Sequence, residues 1–237
     1  QVGLKPVILH GAGPMLSDAL AEKQIAFSFI DGQRVTTPEV RDVAHSVFTE
    51  TNQKIVQALE SQGAHAKGLT SNVFECIIED PDLGLVGSIQ SVNTDLVNEA
   101  LESDSIPVIA PMGFQNSEML NINADIAAVE LVKAINPYKA IFLSETGGIF
   151  NKTGQLITNI NLVLEYDELM NEKWLHSGMK LKLEQIKSLL DYLPKTASVS
   201  ITEPINLPKE LFTDSGSGTL IKHGYSVAQH QLPDQAI

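Results

Sequence analysis

At 237 residues, with 43% hydrophobic and 19% charged side chains, the chain is long enough to bury a core and too apolar to be disordered. Its formal charge of −13 argues against nucleic-acid or anionic-membrane partners, because phosphate-backbone recognition needs a basic stripe, and no apolar run approaches the length of a membrane span. A single cysteine, Cys76, excludes an internal disulfide, favours a reducing compartment, and reads as a small apolar side chain in a strand.

The elements alternate. KPVILH (5–10) is a short apolar strand that runs straight from the start of the chain without a signal-peptide pattern, and PMLSDALAEKQI (14–25) has helical spacing with Pro14 in its first turn. Thr37 before Pro38 suits an N-cap for a long helix ending near Gly63, with Val40, Val43, Val47, Ile55, Val56 and Leu59 on its apolar stripe. ECIIED and LGLVGSI flank a Pro-Asp-Leu-Gly turn and predict a hairpin. IPVIAP (106–111) and AIFLSE (140–145) are strands around the helix DIAAVELVKAI, and GGIFNKTGQLI (147–157) predicts a second hairpin turning at Lys152-Thr153-Gly154. LKLEQIKSLLDYL (181–193) is an amphipathic helix and SVSI (198–201) a strand. The β-α-β-α order predicts an α/β fold around a mainly parallel sheet.

Four segments carry chemistry. Gly11-Ala12-Gly13 turns from a strand into a helix, where backbone N–H groups and the helix dipole favour an anion; the third glycine of a dinucleotide fingerprint and a Walker lysine are both missing. Arg34, read as lying in a loop ahead of a helix, offers a planar guanidinium for a bidentate clamp on a carboxylate, or is simply exposed. In LNINADIAA, Asn121 and Asn123 are extended and Asp125 opens a helix, either as its cap or as an ionised group that orients lysines. SGMKLK sets Lys180 and Lys182 two apart, which predicts one facing solvent and the other inward. His10 reads as a strand-end residue with a satisfied ring. An anion-binding turn, a fixed carboxylate and a placed lysine are the parts that phosphoryl transfer needs.

The ordered set HGAGP, DGQRVT, the hairpin, LNINAD, LSETGG, SGMKLK and LFTDSGSGTLI resembles the amino-acid kinase family over essentially the whole chain, and within it the N-acetylglutamate kinases of arginine biosynthesis. YDELM, LKLEQIKSLLDYLP and TASVSI look most like the branch of fungal kinases and bacterial bifunctional synthase/kinases. The resemblance implies a three-layer sandwich around a mainly parallel sheet, the carbamate kinase-like fold, with an N-terminal lobe over 1–124 carrying acetylglutamate and a lid hairpin at 74–89, and a nucleotide lobe over 125–237.

It further implies ATP with Mg²⁺ as co-substrate, N-acetyl-L-glutamate as acceptor, and no protein-held metal. Gly11 and Ala12 would meet the transferred phosphate, with Gly13 beside the substrate; the family more often has glycine where Ala12 stands. Arg34 would hold the α-carboxylate and Asn121 the acetamido group. Asp125 would organise the catalytic lysines, Lys182 would neutralise the leaving group, and Ser144, Glu145 and Gly147 would lie near the nucleotide. The family's leading K-x-G-G strand has no counterpart, since Lys5 is followed by proline, so either a strand precedes Gln1 or a catalytic cation has been lost. Glu210 and Gly216 correspond to an arginine-binding acid and carbonyl, which makes arginine inhibition an expectation. A homodimer or dimer-based tetramer in the cytoplasm is implied, or in the mitochondrial matrix for a fungal source, with an acetyltransferase domain possible after the kinase domain. The competing reading is a non-catalytic arginine sensor regulating an attached N-acetylglutamate synthase.

Overall fold

The computed structural model describes residues 3–175, 177–213 and 216–224, divided into two units, Gln1–Ile135 and Asn136–Ile237. In chain order the first unit runs β1 (Ile8–Leu9), α1 (Gly13–Glu22), β2 (Phe29–Ile30), β3 (Gln33–Arg34), α2 (Pro38–Ser61), β4 (Ala66–Leu69) and β5 (Phe74–Ile77). It continues with β6 (Ser88–Val92), α3 (Thr94–Glu102), β7 (Ile106–Ile109), β8 (Met112–Gln115), β9 (Glu118–Asn121) and α4 (Ala124–Ile135). The helix starts follow the local chemistry: Pro14 and Pro38 occupy first-turn positions, and Thr37 Oγ1 accepts the Val40 N–H as the expected cap of α2.

β7 lies between β1 and β4 in a three-stranded parallel sheet, in register Ile8↔Val108 and Gly68↔Val108. A second sheet, ordered β6-β5-β8-β9, contains the expected hairpin over Phe74–Val92, with a register shift between Glu75 and Cys76. Two core clusters form. One gathers Leu16 and Leu20 of α1 with Val40, Ala44 and Phe48 of α2, and the other gathers Val97 of α3 with Ala127 and Leu131 of α4 around Leu69, Phe74 and Ile109. Burial of Ala127 and Leu131 packs α4 into this unit, which runs to Ile135.

Two tight hairpins depart from the expected pattern. Asp31 and Gly32, both at positive φ (47° and 78°), join β2 to β3, which places Arg34 in a strand and not in a loop. Asn116 and Ser117, at φ 48° and 71°, join β8 to β9 in the same way and make LN of LNINAD the end of a strand. Two successive positive-φ residues are what a right-handed twisted hairpin needs, and Asp-Gly supplies them at low cost.

The second unit runs β10 (Lys139–Leu143), β11 (Ile149–Phe150), β12 (Leu156–Ile157), β13 (Asn159–Asn161), α5 (Leu162–Asn171), α6 (Ser177–Tyr192), β14 (Ser198–Thr202), α7 (Leu207–Phe212) and β15 (Thr219–Lys222). Its main sheet is ordered β10-β14-β15-β13, with β10 parallel to β14 and β13 parallel to β15, and β11–β12 is the predicted second hairpin. Leu183, Ile186, Leu189 and Leu190 are buried, which is the apolar face expected of α6, and Leu193 just past its end is buried with them. No helix among the described residues is long and apolar enough to cross a membrane.

Candidate active site

In the first unit, the end of β1, the starts of α1 and α4, and the β2–β3 hairpin meet around a cavity of about 230 Å³. Its walls include Gly11, Ala12, Gly13, Phe29, Arg34, Asn121, Asn123 and Asp125, so six of the residues expected from sequence share one space. Ala12 is the N-cap of α1, has no side chain able to accept, and is followed by Gly13 and Pro14, which carries no N–H. The first-turn amides are therefore left for a ligand. Ala12 itself is buried beside Leu16 with an extended φ of −150°, so its methyl fills core space and the position does not require glycine. A Cβ on Gly11 would come within 3.4 Å of the Ala124 Cβ at the opening of α4, which explains a glycine there.

Arg34 is only 7% exposed, against the exposed reading that its sequence context left open. Its Nη2 donates to Ser17 Oγ (2.8 Å) and to the Gly13 carbonyl (3.3 Å), tying β3 to the first turn of α1. Its Nη1 is buried with no hydrogen-bond partner in the structure. Burial pulls the guanidinium below the usual arginine value, yet an arginine remains charged, so a buried donor without an acceptor marks a place for an anion. Because Nη2 is already engaged, the bidentate clamp is not preformed.

Asn121 Nδ2 donates to Thr36 Oγ1 (3.0 Å), and Thr36 Oγ1 donates to the Arg34 carbonyl (2.8 Å); all three residues are buried. Thr36 thus joins the two candidate ligand-binding residues from beneath and orients the Asn121 amide. It was missed from sequence because a threonine one residue before a helix cap looks like part of the turn, and only the 85-residue separation from Asn121 closed by folding reveals it. Backbone bonds fix the same strand: Asn121 N donates to the Leu85 carbonyl and Gly87 N to the Asn121 carbonyl.

The cap of α4 is Asn123, whose Oδ1 accepts the N–H groups of Asp125 (2.8 Å) and Ile126 (3.3 Å). Asp125 is therefore not the cap. It lies in the first turn, half-buried on the cavity wall.

His10 is buried, with Nε2 3.3 Å from Asn52 Nδ2, and Asn52 Nδ2 also donates to the Val108 carbonyl (2.8 Å). Burial lowers the His10 pKa, and its Nδ1 is buried with no hydrogen-bond partner in the structure, so the ring is not the satisfied one that its strand-end position predicted. Cys76 is buried in β5 and burial pushes its thiol up to about 11, which suits an apolar filler and not a nucleophile.

In the second unit, Ser144, Glu145 and Gly147 form the turn that follows β10. Gly147 N donates to the Ser144 carbonyl (3.1 Å), and Gly147 sits at φ 69°, where a Cβ would also meet the Glu203 side chain. Lys180 and Lys182 are both on α6 and both half-buried, so the split into one solvent-facing and one inward lysine is not seen. Lys180 Nζ donates to the Met170 carbonyl (2.7 Å), while Lys182 Nζ lies 5.7 Å from the centre of the Phe142 ring on β10, two residues before the Ser144 turn.

Glu210 is 3% exposed on α7. Its Oε1 accepts the N–H groups of Ser217 (2.8 Å) and Gly218 (3.1 Å), and its Oε2 lies 3.1 Å from Lys139 Nζ, which also donates to the Glu210 carbonyl. Burial alone would raise this carboxyl, but those two amides, the Lys139 ammonium and the Ser200 side chain outweigh it and hold it below the usual glutamate range. Gly216, at φ 60°, passes so close that a Cβ would strike the same carboxylate. Asp214 and Ser215 of the same motif lie outside the described residues.

The model of the amino acid kinase family matches residues 1–191. A curated relative, acetylglutamate kinase of Xylella fastidiosa (strain Temecula1), is 48% identical over 96% of this chain and 54% of its own length. Acetylglutamate kinase of Jannaschia sp. is 34% identical over 94% of this chain and 80% of its own. A solved structure of N-acetylglutamate synthase from Neisseria gonorrhoeae, complexed with coenzyme A and L-arginine, shares the fold at a TM-score of 0.79 and 22% identity, over 93% of this chain and 54% of that one. The chain spans about half the length of the first curated relatives it matches.

Proposed function

This chain belongs to the amino acid kinase family, and on that footing we propose that it transfers the γ-phosphoryl group of ATP to the γ-carboxylate of N-acetyl-L-glutamate. The observation that carries the proposal is the buried, half-satisfied Arg34 beside Asn121 and the uncapped start of α1, on one cavity: a carboxylate donor, an amide partner and a phosphate turn together. The relatives named acetylglutamate kinase point the same way.

The reaction forms a bond from a γ-carboxylate oxygen to the γ-phosphorus and breaks the bond from that phosphorus to the β,γ-bridging oxygen, releasing ADP. An ionised carboxylate is already a nucleophile, so no general base is required and positioning with charge neutralisation does the work. In this reading Arg34 meets the α-carboxylate, Asn121 the acetamido group, and the amides of Gly11, Ala12 and Gly13 the moving phosphoryl group. Asp125 orients the cationic side of the site. Lys182 neutralises charge on the departing ADP, and the turn at Ser144, Glu145 and Gly147 lies against the nucleotide. Lys182 is preferred over Lys180 because it stands where the family resemblance puts the lysine that follows Gly178-Met179. Mg²⁺ would arrive on the ATP phosphates and screen their charge there.

ADP release by the full-length protein with N-acetylglutamate, glutamate or aspartate as acceptor tests the proposal; turnover that does not depend on the acetyl group would sink it. Thr36→Val, which keeps shape but removes the hydroxyl under both Arg34 and Asn121, is expected to weaken acetylglutamate binding about tenfold while leaving the KM for ATP unchanged. Equal effects on both substrates would show Thr36 to be a packing residue only.

Arginine regulation is the second reading, supported by the buried Glu210 carboxylate and the left-handed turn at Gly216 that passes against it. Titration of arginine by calorimetry is expected to show saturable heat that vanishes in Glu210→Gln; the absence of heat and of any thermal shift at millimolar arginine removes the site. Arginine binding without acetylglutamate turnover would instead make this a sensor domain.

A further inference from the structure

The Arg34 guanidinium carbon lies 4.3 Å from the centre of the Phe27 ring and 4.7 Å from that of Phe29, and the two rings meet edge to face, 85° apart with centroids separated by 5.9 Å. They form an aromatic corner into which the guanidinium is set. Both rings stand at the surface, 37% and 54% exposed, while the arginine they cover is only 7% exposed. Exposed phenylalanines next to solvent are unfavourable placements that core packing does not explain, since neither ring belongs to the clusters that hold the first unit together. Phe29 also faces the cavity and pairs across the hairpin with Arg34 itself, in register Phe29↔Arg34.

Acting on the proposed reading of Arg34 as the α-carboxylate ligand, we propose that Phe27 and Phe29 are positioning and specificity residues: their corner fixes the guanidinium so that Nη2 stays on Ser17 and Gly13 and Nη1 is kept dry for one carboxylate oxygen. Ring quadrupoles hold the cation without supplying an acceptor that would compete with the ligand. Excluding water from Nη1 strengthens the bond it later makes to an anion. The result is selection for an acceptor that carries a carboxylate at the α-carbon, enforced by side chains that never touch the reacting phosphoryl group.

The test compares N-acetylglutamate with 4-acetamidobutanoate, which has the same acetamido and γ-carboxylate ends and no α-carboxylate. Binding of each to the full-length protein is followed by ligand-observed NMR on the acetyl methyl, for wild type, Phe29→Ala, Phe29→Leu and Phe29→Tyr. Phe29→Ala and Phe29→Leu are expected to weaken N-acetylglutamate about tenfold and leave 4-acetamidobutanoate unchanged, while Phe29→Tyr, which keeps the ring, restores wild-type affinity. Loss of affinity equally for both ligands, or full affinity in Phe29→Leu, overturns the inference, because either means the ring contributes only bulk. A wild-type protein that binds N-acetylglutamate but no more tightly than 4-acetamidobutanoate also overturns it. A wild-type protein that binds neither overturns the proposed function and this inference with it. Phe29 is half exposed, so the unfolding midpoints of the variants are expected to match wild type.

Discussion

Asp125→Asn in the full-length protein is expected to lower kcat with N-acetylglutamate by about a hundredfold or more, with both KM values within about threefold of wild type, the size of effect seen when one preorganised charged or polar group is removed from a reacting centre. The substitution keeps the shape of the side chain and removes its charge. It does not disturb the helix it stands on, because Asn123 and not Asp125 supplies the cap of α4. A loss of kcat far larger than any shift in unfolding midpoint accounts for is the signature to look for. If kcat survives, Asp125 is not the organising charge of the site, and its place in the first turn serves the helix.

Glu210→Ala is expected to destabilise the second unit by about 3 kcal/mol, because it removes the acceptor of the Ser217 and Gly218 amides and leaves the Lys139 ammonium with the residue 210 carbonyl but no counter-charge there. The pH dependence follows from the sign of the shift. The folded carboxyl lies below its unfolded value, so its stabilising contribution is complete above the unfolded pKa and is lost as pH falls through the folded one. Urea unfolding of wild type and variant is thus expected to differ most at neutral pH and to converge well below the ordinary glutamate range. Curves that stay equally far apart in acid would mean that the cost is a cavity and not a charge.

The Glu210 network also shows why its role could not be read from spacing. In sequence, Glu210 and Gly216 look like a ligand pair six apart; in the fold they are first of all a loop staple, with Lys139 arriving from a strand 71 positions away. Arg34 illustrates the opposite case. Its neighbours Asp31 and Gly32 carry the strongest short hairpin signal in the chain, and reading them as a two-residue turn would have put Arg34 in a strand with Phe29 directly opposite. The Asn116-Ser117 turn was harder to see, since serine at a left-handed position is uncommon and nothing local announces it.

What the amino-acid sequence determined by itself is whatever depends on neighbours in the chain: the helix starts at Pro14 and Pro38, the Thr37 cap, the apolar face of α6, the two predicted hairpins, and the alternation that makes an α/β fold. It also determined family membership, because ordered motifs survive without any knowledge of where they meet. What only the tertiary structure decided is which groups are dry and which are already spent. Burial and partner choice join residues from distant segments, as Thr36 joins Asn121 and as two phenylalanines enclose Arg34. Desolvation is a property of the space around a side chain, and no window of sequence contains it.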